Sequence, residues 1–297
     1  MNGLTEKRFE EHITECLAGS PMYCQRDHKD FDIKGLCDRG ELQHFMEAQP
    51  KAWAKLTKEY GAGALDEVVR VYNSTLANEG MLHVLKKGIK IKGTEIRFVA
   101  FKDEMAPEGS EPDLLYKANR FAVVRQMRYS TAAADSQNSI DLVILCNGLP
   151  IITAELKNEF TDQNYMHSIR QYRTDRKPDN AFLKACLVHF AVDNNYAFMT
   201  TRLKGEETEF LPFNQDSVNP VIEGDYATAY LWRDIWQADS LLNIIEHFIK
   251  SYKVKVTDKE KTTFFPRFHQ LRAVRKLVDL AKTEGAGHNY LIDFSSL

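Results

Sequence analysis

Asp141, Glu155 and Lys157 stand out by type and spacing, within the segment SIDLVILCNGLPIITAELKN at residues 139–158. Glu155 and Lys157 are two apart, so on a strand they share one face while Leu156 turns to the other. Asn147-Gly148 separates two apolar runs and is a strong hairpin signal, because both residue types tolerate positive φ. A hairpin turning there brings Asp141 back beside Glu155. Two carboxylates and an ammonium then converge at one open end of a sheet. Two carboxylates about 4 Å apart repel by roughly 1 kcal/mol in water and about 4 kcal/mol at an effective dielectric of about 20. A cation between them relieves that repulsion; otherwise one pKa rises. An all-oxygen pair with open positions suits Mg²⁺ or Mn²⁺ rather than Zn²⁺. Such an ion polarises a phosphoryl oxygen and generates hydroxide from a bound water. Lys157 is spaced to orient that water or to stabilise charge developing on phosphate. These are the parts of phosphodiester hydrolysis. The competing reading of a Glu-x-Lys pair is a solvated salt bridge of little energetic worth.

The elements that must position these residues are legible in outline. Phe9, Ile13 and Leu17 repeat at helical spacing, and Gly19-Ser20-Pro21 ends that helix. Residues 24–38 read as polar and irregular, 41–60 as a second helix, and 65–85 as a third, interrupted around 78–80. Short β-branched runs at 89–91, 96–101 and 121–129 predict strands, with a surface loop at 103–113 and a turn at 135–139. The hairpin follows, then an amphipathic helix over 161–176 with Tyr165, Ile169 and Tyr172 on one face. Strands are expected at 187–192 and 196–200, a loop region at 204–225, and helices at 239–250 and 268–282. The last is closed by Gly285, with a strand starting near Asn289. A lysine-rich connection spans 252–262.

Composition narrows the class. Of 297 residues, 43% are hydrophobic and 27% charged, which excludes collagen-like, disordered and disulfide-scaffold chains. A net charge of −3 gives no global attraction for nucleic acid, so any contact with it needs a local basic patch. The five cysteines lack C-x-x-C spacing and read as reduced thiols, without a zinc site. The longest uncharged run, Leu142 to Ala154, is too short and broken to span a bilayer. With no apolar signal core at the N-terminus, the expectation is a cytoplasmic protein without membrane contact.

An aspartate at a strand start, a hairpin, and Glu-x-Lys on the next strand resemble the PD-(D/E)xK nuclease arrangement. The wording DLVILCNGLPIITAELKN is similar to the restriction (R) subunit of type I restriction-modification enzymes. The likeness continues through IRQYRTDRKP, LVHFAVDNNYAFMTTRL, FLPFN, AYLWRDIWQADSLLNIIEHFI and FFPRFHQLRAVRKLV. It implies an α/β fold with a mixed sheet flanked by helices. It also implies a type I site-specific deoxyribonuclease cutting double-stranded DNA with Mg²⁺ or Mn²⁺, in a complex with methyltransferase and specificity subunits in a prokaryotic cytoplasm. Carried over residue by residue, Asp141, Glu155 and the backbone carbonyl of Leu156 become metal ligands, and Lys157 the catalytic lysine. Glu10, with Glu6 second, is the candidate for the further glutamate such nucleases take from a first helix. The family's Q-x-x-x-Y finds its tyrosine in Tyr172, but Ser168 stands at the glutamine position.

Beside that site, Arg170, Arg173 and Arg176 are spaced by three and read either as a basic stripe for phosphate, with Tyr172, or as a solvated helix face. Phe265 to Gln270 resembles the motif before a superfamily 2 helicase motor, where Gln270 would read adenine. No P-loop follows, so ATP belongs to a longer form of the protein. The expected organisation is a nuclease domain at 1–203, a connecting region at 204–258 and the beginning of a helicase-like domain at 259–297. The alternative to a nuclease is a non-catalytic DNA-binding or assembly module of that complex. A standalone repair nuclease is a third reading.

Overall fold

A computed structural model describes residues 6–131, 138–158, 163–253, 261–285 and 287–292. Parts of the expected turn, of the 161–176 helix start, of the lysine-rich connection and the last five residues lie outside these. The hairpin is the frame of the molecule. Strands β3 (Ser139–Cys146) and β4 (Leu149–Leu156) are joined by Asn147 and Gly148, whose φ values are +48° and +83°. Every residue of β4 is buried, which explains why the strand reads as a continuous apolar run instead of alternating. The sheet has seven strands that lie side by side in chain order. The first two are β1 (Tyr23–Arg26) and β2 (Phe121–Arg128). After the hairpin come β5 (Val188–Val192), β6 (Ala197–Thr200) and β7 (Leu211–Pro212). β1 is parallel to β2 and β4 to β5; the other pairs are antiparallel. Both parallel pairs need long crossovers.

The register of the hairpin decides the site. Cys146 pairs with Leu149 and Leu145 with Pro150, but Ile144 pairs with Ile152, so Ile151 is an extra residue on β4. Beyond this bulge Leu142 faces Ala154. One step further, Asp141 is set across from Glu155. Without the extra residue every later side chain of β4 would change face.

Helix α1 (Glu6–Ala18) lays Phe9, Ile13 and Leu17, all fully buried, against the sheet. The first crossover holds α2 (Arg39–Glu47), α3 (Pro50–Tyr60), α4 (Ala64–Glu79), α5 (Met81–Lys87) and α6 (Glu111–Lys117). The second holds α7 (Tyr165–Thr174) and α8 (Ala181–Ala185). The expected mixed sheet flanked by helices is therefore present. The helix expected at 41–60 is two helices, because Pro50 starts α3 at a position that needs no N–H. Gly80, at φ +83°, divides α4 from α5 inside the expected interruption. The segment read as irregular begins inside β1, and the 103–113 loop gives way to α6 at Glu111. The strand expected at 96–101 is confined to Thr94–Ile96, paired with Ile89–Ile91.

After residue 203 the chain returns to the same core. Trp232 sits edge-on to Phe9 at 5.8 Å, and Trp236 to Phe190 at 5.5 Å. Phe265 and Phe268 lie 5.9 and 5.8 Å from Phe213. Among the described residues one buried cluster thus runs from Phe9 to Leu271. This part of the chain holds a π turn at Leu231–Ile235, α9 (Ala238–Asn243) continued by a second π turn to Phe248, a short antiparallel pair of Lys250–Tyr252 with Thr262–Phe264, and α10 (Phe268–Glu284). A helicase-like domain is not shown: α10 is followed by residues 287–292 without strand pairing. No helix of the described residues is long and apolar enough to cross a membrane.

Candidate active site

Asp141 lies near the start of β3, and its carboxylate reaches across to the next strand. Its Oδ2 accepts the backbone N–H of Leu156 at 2.8 Å, and the Lys157 ammonium stands 3.9 Å from the same oxygen. Gln126 on β2 stands across from Asp141 on its other side. Its backbone is left-handed, at φ +49°, and its amide donates to Asp141 Oδ1 at 3.2 Å and to Glu10 Oε1 at 2.8 Å. Ser139 Oγ donates to Gln126 Oε1 at 2.7 Å, which fixes the orientation of that side-chain amide. Arg125 donates to the second oxygen of Glu10 at 3.3 Å. Four sequence-derived candidates, Glu10, Asp141, Glu155 and Lys157, are therefore gathered at one place.

Glu155 is fully buried, which is costly for a carboxylate without a partner. Its partner is Arg176, whose Nε and Nη2 both donate to Oε1, at 2.8 and 2.6 Å. The guanidinium is held in turn by the Ser139 carbonyl at 2.7 Å and lies over the Tyr129 ring at 5.6 Å. Oε2 of Glu155 is buried without a hydrogen bond. Burial, and then the charge of Asp141, pushes the Glu155 carboxyl well above the usual carboxylate range, against the pull of Arg176 and Lys157. The same two causes, in the same order, raise Glu10 to about 7, against Arg125 and Gln126. Carboxylates crowded in this way call for positive charge.

Among the described residues, no group of three or more His, Cys, Asp and Glu side chains is gathered tightly enough to hold a metal by itself. Mg²⁺ does not require one, since it binds through one or two carboxylates and keeps waters and substrate oxygens. Asp141 and Glu155 could supply that pair, and the unpaired Oε2 of Glu155 is the oxygen left over for it. The donor set is all oxygen, which fits a hard cation.

The helix after the hairpin departs from expectation. Arg170, Arg173 and Arg176 do not form one stripe. Arg170 is exposed; Arg173 donates to the Thr208 carbonyl at 2.9 and 2.7 Å and ties down that loop. Arg176 lies beyond the end of α7 and is 3% exposed. Tyr172 is fully buried, so it cannot reach DNA. Its hydroxyl meets Thr153, which also bonds His189 Nδ1, both at 2.7 Å. Ser168, one turn before Tyr172, is buried with its hydroxyl unpaired. Gln270 caps α10 by accepting the Arg267 N–H at 3.0 Å. The side chain of Glu6 lies outside the described residues.

Gln126, Ser139 and the role of Arg176 were not found from the sequence. Gln126 stands opposite Asp141 in the β2–β3 register, a relation fixed by strand pairing across a long intervening segment. Arg176 was singled out, but helical spacing placed it in a stripe for phosphate or on a solvated face; the helix ends before it and the side chain turns inward to Glu155.

Residues 25–208, more than half of the chain, match the family described as the type I restriction enzyme R protein N terminus. The match spans all of the site except Glu10. No curated protein matches the chain. The chain belongs to the type I restriction enzyme R protein N-terminal family.

Proposed function

We propose that this chain is a PD-(D/E)xK nuclease module that hydrolyses phosphodiester bonds of double-stranded DNA with Mg²⁺ or Mn²⁺. It would act as the front part of an R subunit in a type I restriction complex with methyltransferase and specificity subunits. The observation that carries the reading is the convergence of Asp141, Glu155 and Lys157, with one oxygen of buried Glu155 left unpaired. Family membership supports it.

Asp141, Glu155 and the Leu156 carbonyl would hold the cation, and Glu10 would act from the far side of Asp141. The cation would supply Lewis acidity at phosphate and a more acidic water. The chain's own residues do the rest. Lys157, kept close by Asp141, orients the attacking water and offsets negative charge as oxygen adds to phosphorus and the bridging oxygen leaves. Gln126 keeps Asp141 and Glu10 at a fixed separation. Exposed Arg170 can meet a phosphate; Arg173, Arg176 and Tyr172 serve the scaffold. Residues 259–297 would belong to a helicase-like region, with Gln270 as its adenine-facing residue.

Ser168, in place of the family glutamine, favours a second reading, in which the fold is kept as an assembly module. Calorimetric titration with Mn²⁺ and Mg²⁺ separates the two. The nuclease reading expects binding by the parent chain and its loss in Asp141→Ala and Glu155→Gln, with circular dichroism unchanged. No binding by the parent at millimolar metal with DNA present would leave the assembly module.

A further inference from the structure

Resting on the nuclease reading, we infer that Arg176 is a positioning residue that selects which oxygen of Glu155 meets the metal. A guanidinium usually spans a carboxylate with one N–H to each oxygen. Here both N–H groups fall on Oε1, and Oε2 keeps no hydrogen bond although it is fully buried. A buried acceptor left unpaired is rare and calls for an explanation such as a bound ion. The one-sided fork is enforced from three directions. Nη2 also donates to the Ser139 carbonyl at 2.7 Å, Nη1 is 3.4 Å from the Tyr129 hydroxyl, and the Tyr129 ring packs under the guanidinium. Ser139 also donates to Gln126, which holds Asp141. One residue thus links the orientation of both carboxylates. Lysine could supply the charge of Arg176 but not its planar fork.

The consequence is a stated coordination mode. With Oε1 held by Arg176, Glu155 binds the cation through Oε2 alone, as a unidentate ligand. Replacing the fork frees Oε1 to swing and weakens that geometry while the charge remains.

The test compares the parent chain with Arg176→Lys and Arg176→Met in Mn²⁺ calorimetry, with melting temperature followed in metal-free buffer. Infrared difference spectra read the carboxylate stretches on Mn²⁺ addition. We expect Arg176→Lys to fold and to bind Mn²⁺ at least about tenfold more weakly, since a point charge does not replace the planar fork. The wide splitting of a unidentate carboxylate in the parent should narrow in that variant. Parent-like affinity and an unchanged splitting in Arg176→Lys would overturn the assignment. So would tighter binding by Arg176→Met, which would make Arg176 a competitor of the metal. Absence of Mn²⁺ binding by the parent would instead remove the nuclease reading on which the inference stands.

Discussion

Glu155 and Arg176 are each the condition for burying the other. Removing one charge of a buried pair leaves the other uncompensated, at a cost of about 3–5 kcal/mol. Glu155→Ala strands the guanidinium, whereas Glu155→Gln keeps an acceptor oxygen for its two N–H groups. Urea unfolding should therefore find Glu155→Ala less stable than Glu155→Gln by about 2 kcal/mol or more, following the asymmetry between broken and replaced pairs. Equal stabilities would mean that the pair is relaxed in solution. Lys157 tests the other side of the site. Its ammonium stands 3.9 Å from the buried Asp141 carboxylate, so it faces the aspartate and not Glu155. On the proposed function, Lys157→Met should bind Mn²⁺ within about threefold of the parent, because it removes no ligand. DNA cleavage by the assembled complex should fall by about 10²-fold or more, the scale of one transition-state donor. Loss of Mn²⁺ binding in that variant would place Lys157 in the ligand framework instead.

The hairpin carries the residues to the site, and its turn is under tight steric control. Gly148 has φ +83°, and a Cβ there would stand 2.4 Å from the Asp38 carbonyl oxygen and 2.9 Å from the Leu42 N. Both atoms are backbone at the start of α2 and cannot swing aside. Gly148→Ala combines left-handed strain with that clash, so its cost should exceed the ~1 kcal/mol of a misplaced alanine and reach about 2–4 kcal/mol. A melting temperature within a degree or two of the parent would contradict this packing. This hairpin was readable in the sequence because Asn147-Gly148 is a local signal between two apolar runs. The turn also set Asp141 beside Glu155, but the bulge that produces this register was not legible. The extra residue Ile151 leaves no local mark, yet it determines that Glu155 and not Ala154 shares the face of Asp141. β1 was missed for a related reason: Tyr23–Arg26 is short and mostly polar, and it is a strand because β2 offers it a parallel edge. Arg176 and Gln126 show the same limit at the site. Their partners come from other elements, so spacing along the chain could name the residues but not their roles.

At the scale of the whole molecule, buried titratable groups pull stability in opposite directions as pH changes. Burial lowers His189 from 6.5 to about 3. The unfolded chain therefore binds its proton first on acidification, and the His189 contribution is intact above about pH 6.5 and lost towards pH 3. Its full slope is about 1.4 kcal/mol per pH unit. Glu10 is displaced the other way, from 4.5 to about 7, and Glu155 is also raised. Their contributions are present below about pH 4.5 and lost as pH rises, through about pH 7 for Glu10. In metal-free buffer between about pH 4.5 and 6.5 the Glu10 and His189 slopes oppose one another, and the raised Glu155 carboxyl tilts the balance towards a fall of stability with pH. His189→Asn should steepen the fall and Glu10→Gln should flatten it, as read from urea unfolding at several pH values. The proposed cation reverses the sign, since it binds the ionised carboxylates and competes with their protons. The rise in melting temperature on adding Mn²⁺ should therefore grow from about pH 6 to about pH 8. A Mn²⁺ shift independent of pH would place the ion away from Glu10 and Glu155, at a site whose ligands are already ionised in the metal-free fold.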